Sequence, residues 1–239
     1  METLKIDCNQ TKMIAHRGLS GLERENTAAS FIGAGNKSYY GIECDIHKTL
    51  DGSYVVIHDS DTYRVSGIKK IIKDSTLEEL KSISLYDVES NKPKDYLRIP
   101  TLEEYLEICN KYEKIAVVEF KYEYSEEEIK EVIEIVNKKH FLNYTIFISF
   151  NLKTLLTLRH VSSYVNIQYL VSEFSDEVFE ICKKNHFDLN IHHLAVSQLL
   201  VSQLHQHNIK INVWTVNNPI IALMLISWGV DYITTDLLE

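Results

Sequence analysis

Residues 210–235 read KINVWTVNNPIIALMLISWGVDYITT. An apolar, β-branched run (210–216) leads into a segment of helical spacing (219–228), and a second short apolar run (231–235) follows. Pro219 suits the first turn of a helix. Strands apolar on both faces and joined through helices imply a parallel sheet. Working outward, strand-like runs recur at 12–16, 42–47, 115–121, 145–149, 166–171 and 187–191. Helix-like segments sit between most of them, at 26–37, 102–112, 126–139, 152–160, 176–184 and 196–207. Asn26 or Thr27 is placed to cap the first helix. Eight strand units in 239 residues imply a (β/α)8 TIM barrel, slightly under the usual ~250 residues. A doubly wound open sheet is the alternative, although eight units are many for it.

The composition suits such a fold, with 45% hydrophobic and 25% charged residues, well away from the disordered corner. A chain of this length buries roughly 70–75% of its unfolded surface. The net charge of −9 argues against a nucleic-acid partner, whose phosphates require clustered Lys and Arg, and against a standing basic patch for anionic membranes. No run approaches the ~20 apolar residues of an integral membrane segment. The opening METLKIDCNQTK lacks the apolar core of a secretory signal. Cys8, Cys44, Cys109 and Cys182 show no metal-type pairing and read as reduced thiols, so the expected compartment is the cytoplasm. Nothing in the chain speaks to oligomeric state.

One interval breaks the alternation. In KTLDGSYVVIHD (48–59), Asp51-Gly52 is a hairpin-turn signal, so 54–58 should fold back antiparallel beside 43–47. The polar stretch 60–100 carries one weak helix (76–82) and reads as a small insertion after the second strand, packed over one barrel mouth. It is too short for an independent core, so 1–239 is expected to be a single domain.

Chemistry-bearing residues gather at the strand ends. Glu43 and Asp45 lie two apart on one strand and point the same way. The hairpin brings His58 and Asp59 level with them. Glu119 and Lys121 repeat the spacing on the next barrel strand, and His16 and Arg17 end the first. All lie at C-terminal strand ends, the face where barrel enzymes carry their active sites. Carboxylates facing one another in a low-dielectric mouth repel, and a divalent cation resolves the conflict. All-oxygen ligation selects Mg²⁺ or Ca²⁺. Two histidines supply an acid and a base near neutral pH, and Arg17 and Lys121 supply fixed positive charge for a phosphate. The residues alone therefore suggest metal-assisted phosphoryl transfer. Among the other histidines, His47 shares the face of Glu43 and Asp45 but reads as structural, His192 and His193 end a strand, and His205 and His207 read as structural or solvated. Trp214 ends a strand at the same mouth, as core or as a pocket wall.

In chain order these residues resemble the glycerophosphodiester phosphodiesterase family. The resemblance is carried by the HRG of MIAHRG (13–18), ENT (25–27), GIECDIHKTLDGSYVVIHD (41–59) and PTLEE (100–104). It continues through the ExK of VVEFK (117–121), SF (149–150), VWTVN (213–217) and GVDYITTD (229–236). It implies a barrel with a small insertion after the second strand, metal ligation by Glu43, Asp45 and Glu119, and catalysis by His16 and His58. It further implies phosphate contacts from Arg17 and Lys121 and a pocket lined by Trp214. The family often has a proline before ENT; here Arg24 stands there.

The expected reaction is metal-dependent hydrolysis of a small-molecule glycerophosphodiester to sn-glycerol 3-phosphate and an alcohol. The resemblance suggests that the substrate's own neighbouring hydroxyl attacks, through a cyclic phosphate that water opens. The residues favour His16 as acid and His58 as base. Two alternatives are a lysophospholipase D-like phosphodiesterase, which needs an apolar groove that Ile68, Ile71 and Ile72 only hint at, and a barrel that binds a phosphodiester without cleaving it.

Overall fold

The loops before the seven helices of eight or more residues end in Ser, Thr or Asn, and each of those side chains accepts a backbone N–H from the first turn of the helix that follows. In the computed structural model, which describes residues 2–239, they are Thr27, Thr101, Ser125, Asn151, Ser175, Ser197 and Asn218. Four of them close reciprocal capping boxes or accept alongside acidic first turns, which also suits the helix dipole.

The strands are β1 (Lys12–Ala15), β2 (Gly41–Lys48), β3 (Tyr54–Val56), β4 (Leu85–Tyr86), β5 (Pro93–Lys94) and β6 (Ile115–Phe120). They continue as β7 (Thr145–Ser149), β8 (Asn166–Val171), β9 (Asp188–His192), β10 (Ile211–Trp214) and β11 (Tyr232–Thr235). The helices are α1 (Ala28–Gly35), α2 (Tyr63–Ser66), α3 (Leu77–Lys81), α4 (Leu102–Lys111) and α5 (Glu126–Lys138). After them come α6 (Leu152–Val161), α7 (Asp176–Asn185), α8 (Gln198–Gln206) and α9 (Pro219–Trp228).

Parallel pairing runs β1-β11-β10-β9-β8-β7-β6-β2, and β2 returns to β1 through Ile14↔Gly41 and Ala15↔Ile42. The sheet is thus a closed (β/α)8 barrel, as expected from the alternation. β3 hangs from β2 alone, antiparallel, with Ile46 opposite Val56 and Lys48 opposite Tyr54. The Asp51-Gly52 turn is present, Gly52 taking φ +83°. Most boundaries differ from the sequence expectation by a residue or two, and four of the shifts have an identifiable structural setting. The first helix starts at Ala28 with Thr27 as its cap rather than Asn26, whose φ is +54°. α8 begins at Gln198 because a 3-10 turn, His193–Ala195, takes up the preceding residues. β10 ends at Trp214 rather than at 216, and β6 ends at Phe120, leaving Lys121 just beyond its strand.

Apolar side chains form two layers. One fills the space between barrel and helices, with Phe31, Phe120, Phe147 and Phe187 among its fully buried members. The other fills the barrel itself with Ile14, Val117, Ile146, Ile148, Leu170 and Tyr232. Among them a buried polar row crosses four strands: Asn190 and Asn212 amides donate to Gln168 Oε1 at 3.0 Å, and the Thr234 hydroxyl donates to Asn212 Oδ1 at 3.0 Å. The segment after β3 has a small apolar cluster of its own, in which Val65, Ile72, Leu80 and Leu97 pack on Val55 and Ile57 of the hairpin. Cys44, Cys109 and Cys182 are buried free thiols and Cys8 is half-buried. No helix among the described residues is long and apolar enough to cross a membrane.

Candidate active site

The site is built where strand ends converge. β2 and β6 are in register, with Asp45 opposite Glu119 and Glu43 opposite Val117, so period-two alternation turns Glu43, Asp45 and Glu119 into one mouth. One carboxylate oxygen from each lies within 4.8 Å of the other two. All three are buried, Asp45 being 1% exposed. Burial, then the charges of Asp45 and Glu119, push the Glu43 carboxyl well above the usual range. Burial and Asp45 push Glu119 up to about 7. For Asp45 burial works the same way, but Lys121 and Arg17 outweigh it and hold the carboxyl far below its ordinary value. Lys121 Nζ sits 3.2 Å from Asp45 Oδ1 and 2.8 Å from Glu119 Oε1, and Arg17 Nε sits 3.4 Å from Asp45 Oδ2.

The loop after β1 delivers Arg17 in a constrained turn. Arg17, Gly18 and Asn26 all have positive φ. A Cβ at position 18 would lie 2.5 Å from Ser30 Oγ and 2.7 Å from the Ser30 backbone carbon, so only glycine fits. Arg17 N–H donates to Glu43 Oε2 at 2.8 Å and its Nη1 to Glu25 Oε1 at 2.9 Å. Asn26 Nδ2 donates to Asp45 Oδ2 at 2.8 Å. Arg24, standing where the resembled family often has proline, donates through Nε to the Tyr86 carbonyl at 2.5 Å and so ties this loop to the segment after β3.

Both histidines carry a carboxylate on Nδ1. His16 Nδ1 is 2.7 Å from Asp236 Oδ1, and Ser20 Oγ donates to the same oxygen at 2.9 Å. Burial opposes ionisation of Asp236, yet hydrogen bonds from His16, Asn217 and Ser20 take its pKa down to about 2. His58 Nδ1 is 2.7 Å from Asp59 Oδ1, whose other oxygen accepts from Arg64 Nε at 2.6 Å. Arg64 Nη1 in turn donates to Glu25 Oε2 at 2.7 Å, linking the two histidine loops. Burial lowers the His58 pKa, which makes its imidazolium a stronger proton donor. With Nδ1 engaged, Nε2 of each ring is the nitrogen left for a substrate.

A cavity of about 140 Å³ unites these groups. Of the residues singled out from sequence, His16, Arg17, Glu43, His58, Glu119, Lys121 and Trp214 line it. Asp45 lies behind that wall, held by Asn26, Arg17 and Lys121. Ile148, Leu170, Phe150 and Trp214 add apolar surface to the lining, the last two edge to face at 5.5 Å, beside the polar Asn190, Thr215 and Thr234. His47 stays outside the acidic cluster, its Nε2 3.1 Å from the His58 carbonyl. His192 and His193 pack on one another, centroids 4.7 Å apart, and His192 lies edge-on to Trp214. His205 pairs with Asp231 at 2.9 Å and His207 packs on Phe179, away from the site.

Sequence reasoning assigned no site role to Asp236, Asn26, Glu25 or Arg64; Asn26 was read only as a candidate helix cap. Asp236 ends GVDYITTD and the middle two belong to ENT, so the signal was position within a motif. The partners of each became visible only through contacts across the barrel.

The acidic cluster suits a divalent cation. It offers only hard oxygen donors, and two of its three carboxyls are held above their ordinary pKa by mutual repulsion and burial, which a dication would relieve.

The model of the family described as glycerophosphoryl diester phosphodiesterase matches residues 16–239. A glycerophosphodiester phosphodiesterase of Bacillus altitudinis is 32% identical, the match covering 95% of this chain and 94% of that protein. A phosphodiesterase of Oleispira antarctica, solved in complex with the product sn-glycerol-3-phosphate, superimposes with a TM-score of 0.86 at 30% identity, over 95% of this chain and 93% of that one. A glycerophosphodiester phosphodiesterase structure from Thermotoga maritima gives 0.76 at 28% identity, over 95% and 94%. Strand order, cavity and near-complete coverage agree, and this (β/α)8-barrel chain belongs to the glycerophosphoryl diester phosphodiesterase family of phosphoric diester hydrolases.

Proposed function

We propose that the chain hydrolyses glycerophosphodiesters to sn-glycerol 3-phosphate and an alcohol, with His16 and His58 as the acid–base pair. One observation carries the reading: two carboxylate-backed imidazoles and a buried three-carboxylate cluster share the wall of a single small cavity. Glu43, Asp45 and Glu119 would hold one divalent cation, Mg²⁺ or Ca²⁺. When bound, it supplies Lewis-acid polarisation of a phosphate oxygen. Arg17 and Lys121 bind the anionic phosphate, and Trp214 walls the glycerol side.

Proton transfer follows from the two rings. The glycerol hydroxyl next to the phosphoester attacks phosphorus, giving its proton to one imidazole. The P–O bond to the alcohol breaks as the other imidazolium protonates the departing oxygen. In the second step water attacks the cyclic phosphate, the histidines exchange roles, and the ring opens to the 3-phosphate. Asp236 and Asp59 hold the rings in the tautomer this requires and stabilise each imidazolium. The whole chain would act as one catalytic domain, with the 60–100 segment shaping its rim, on a soluble substrate in the cytoplasm.

The test is ³¹P NMR of the purified protein with glycerophosphocholine in Mg²⁺, in Ca²⁺ and in chelator. Glycerol 3-phosphate forming only with metal is the expected result, with a transient cyclic-phosphate resonance reporting intramolecular attack. No new phosphorus signal in any condition refutes the activity.

A further inference from the structure

We propose that a groove bounded by Leu50, Ile71 and Tyr122 seats the leaving alcohol and selects alcohols with an apolar body; this deepens, and rests on, the phosphodiesterase reading above. A phosphodiester has two arms on one phosphorus. The catalytic cavity, at about 140 Å³, is smaller than the roughly 300–1,000 Å³ of pockets for larger ligands. A space of that size suits one short arm and the phosphate, which directs the second arm into a neighbouring space. A second cavity, of about 830 Å³, meets the first at His58 and Lys121, which line both. It runs outward between the β2–β3 hairpin, the segment after β3 and the loop leading to α5.

The walls define the occupant. Leu50 is 64% exposed and Ile71 42% exposed, and both line the groove. Tyr122 forms a stiff third wall, its ring stacked on Tyr124 at 4.2 Å. Exposed apolar side chains around a concave path gain free energy by covering an apolar body. The charges point the same way. The one carboxylate lining the groove, Glu128, accepts the Ser125 N–H at 2.8 Å and lies 3.9 Å from Lys48, while Lys73 has no carboxylate partner among the described residues, so a small cationic alcohol would find no unpaired carboxylate there. Lys48 already spends its charge on Glu131 at 2.6 Å.

The junction also orders the proton transfers. The alcohol oxygen departs beside His58, so His58 Nε2–H protonates it while His16 takes the proton of the attacking hydroxyl; water then enters from the groove side and returns a proton to His58. This exchanges the order expected from sequence for the first step.

The test compares kcat/KM for the glycerophosphodiester of octan-1-ol, below its micellar range, with that for glycerophosphocholine. The expected preference for the octyl diester is at least tenfold, and Leu50→Ser and Ile71→Ser each reduce that ratio five- to tenfold. Ile220→Ser, an exposed apolar position on α9, leaves the ratio unchanged. A wild-type ratio near one, or a ratio that neither groove variant moves, overturns the proposal. A p-nitrophenyl diester needs no proton on its leaving group, so His58→Ala should lose at least tenfold less rate on it than on the octyl diester. If His16→Ala shows that sparing instead, the alcohol leaves on the other side. Absence of turnover with every diester refutes the activity, and calorimetric binding of the octyl diester to wild type and Leu50→Ser then decides the groove separately.

Discussion

Replacing Asp236 by Asn tests how the structure sets the state of His16. Asp236 Oδ1 faces His16 Nδ1 at 2.7 Å, and its Oδ2 accepts from Asn217 Nδ2 at 2.5 Å. Asn217 has no freedom to turn over, because its own Oδ1 accepts from the Thr235 hydroxyl at 3.1 Å and from the Asp236 backbone N–H at 2.9 Å. An asparagine at 236 must therefore present its carbonyl to Asn217 and its amino group to His16. Nδ1 becomes an acceptor, and neutral His16 carries its proton on Nε2, where it no longer accepts one from substrate. The equivalent tautomer reversal in serine proteases costs about 10⁴-fold in kcat. Here a fall of roughly 10²–10⁴ is expected at pH 7, with KM changed much less, measured by ³¹P NMR or by coupled detection of glycerol 3-phosphate. Stability should move too. The native pKa of about 2 lies below the ordinary 3.8, so this carboxylate stabilises the fold above pH 4, and the contribution is lost as pH falls toward 2. At pH 7 the variant should unfold about 1–2 kcal/mol more easily, given partial exposure. A variant within threefold of wild-type kcat would refute the assignment of His16 and its carboxylate to proton transfer.

Other consequences are equally direct. Glu43→Gln, Asp45→Asn and Glu119→Gln should each weaken divalent-ion binding by tenfold or more in calorimetric titration, while unchanged isotherms would remove the residue from the ligand set. Arg64→Ala frees Asp59 and Glu25 of their shared guanidinium and should lower kcat about three- to tenfold without loss of folding, as checked by circular dichroism. At the opposite end of the barrel, burial raises the Asp188 pKa to about 6. A raised carboxyl costs stability once it ionises, so the native state loses roughly 1–3 kcal/mol from this group between pH 4 and pH 7. Asp188→Asn keeps an oxygen for the Lys210 N–H and should raise Tm at pH 7.5 but not at pH 4; an unchanged or lower Tm at pH 7.5 would contradict this.

Some of these features were readable early for a simple reason. Local rules act over a few residues, and this chain obeys them cleanly. Glu43 and Asp45 share a face because a strand has period two, and His58 returns to their level because Asp51-Gly52 is a tight turn. Helix ends shifted by a residue or two where a cap or a 3-10 turn decided them, as at Thr27 and at His193–Ala195. His47 was read as structural, but what keeps it away from the acidic cluster was not readable. Its parity matches Asp45, but the hairpin carries it past the end of the β2–β6 pairing and onto the His58 carbonyl.

By itself, then, the sequence determined the alternation of strands and helices, the shared face of Glu43 and Asp45, and a family whose motifs named the eight candidate site residues. The tertiary structure alone decided which of them touch. His16 meets Asp236 across 220 residues only because β11 closes the barrel onto β1. Lys121 is set between Asp45 and Glu119 by the register of two strands whose pairing is non-local. The alcohol groove exists only where three separate segments meet. Periodicity and turn chemistry are properties of neighbouring residues, whereas barrel closure, charge pairing and cavities belong to chain segments brought together by packing, and no local pattern encodes their distances.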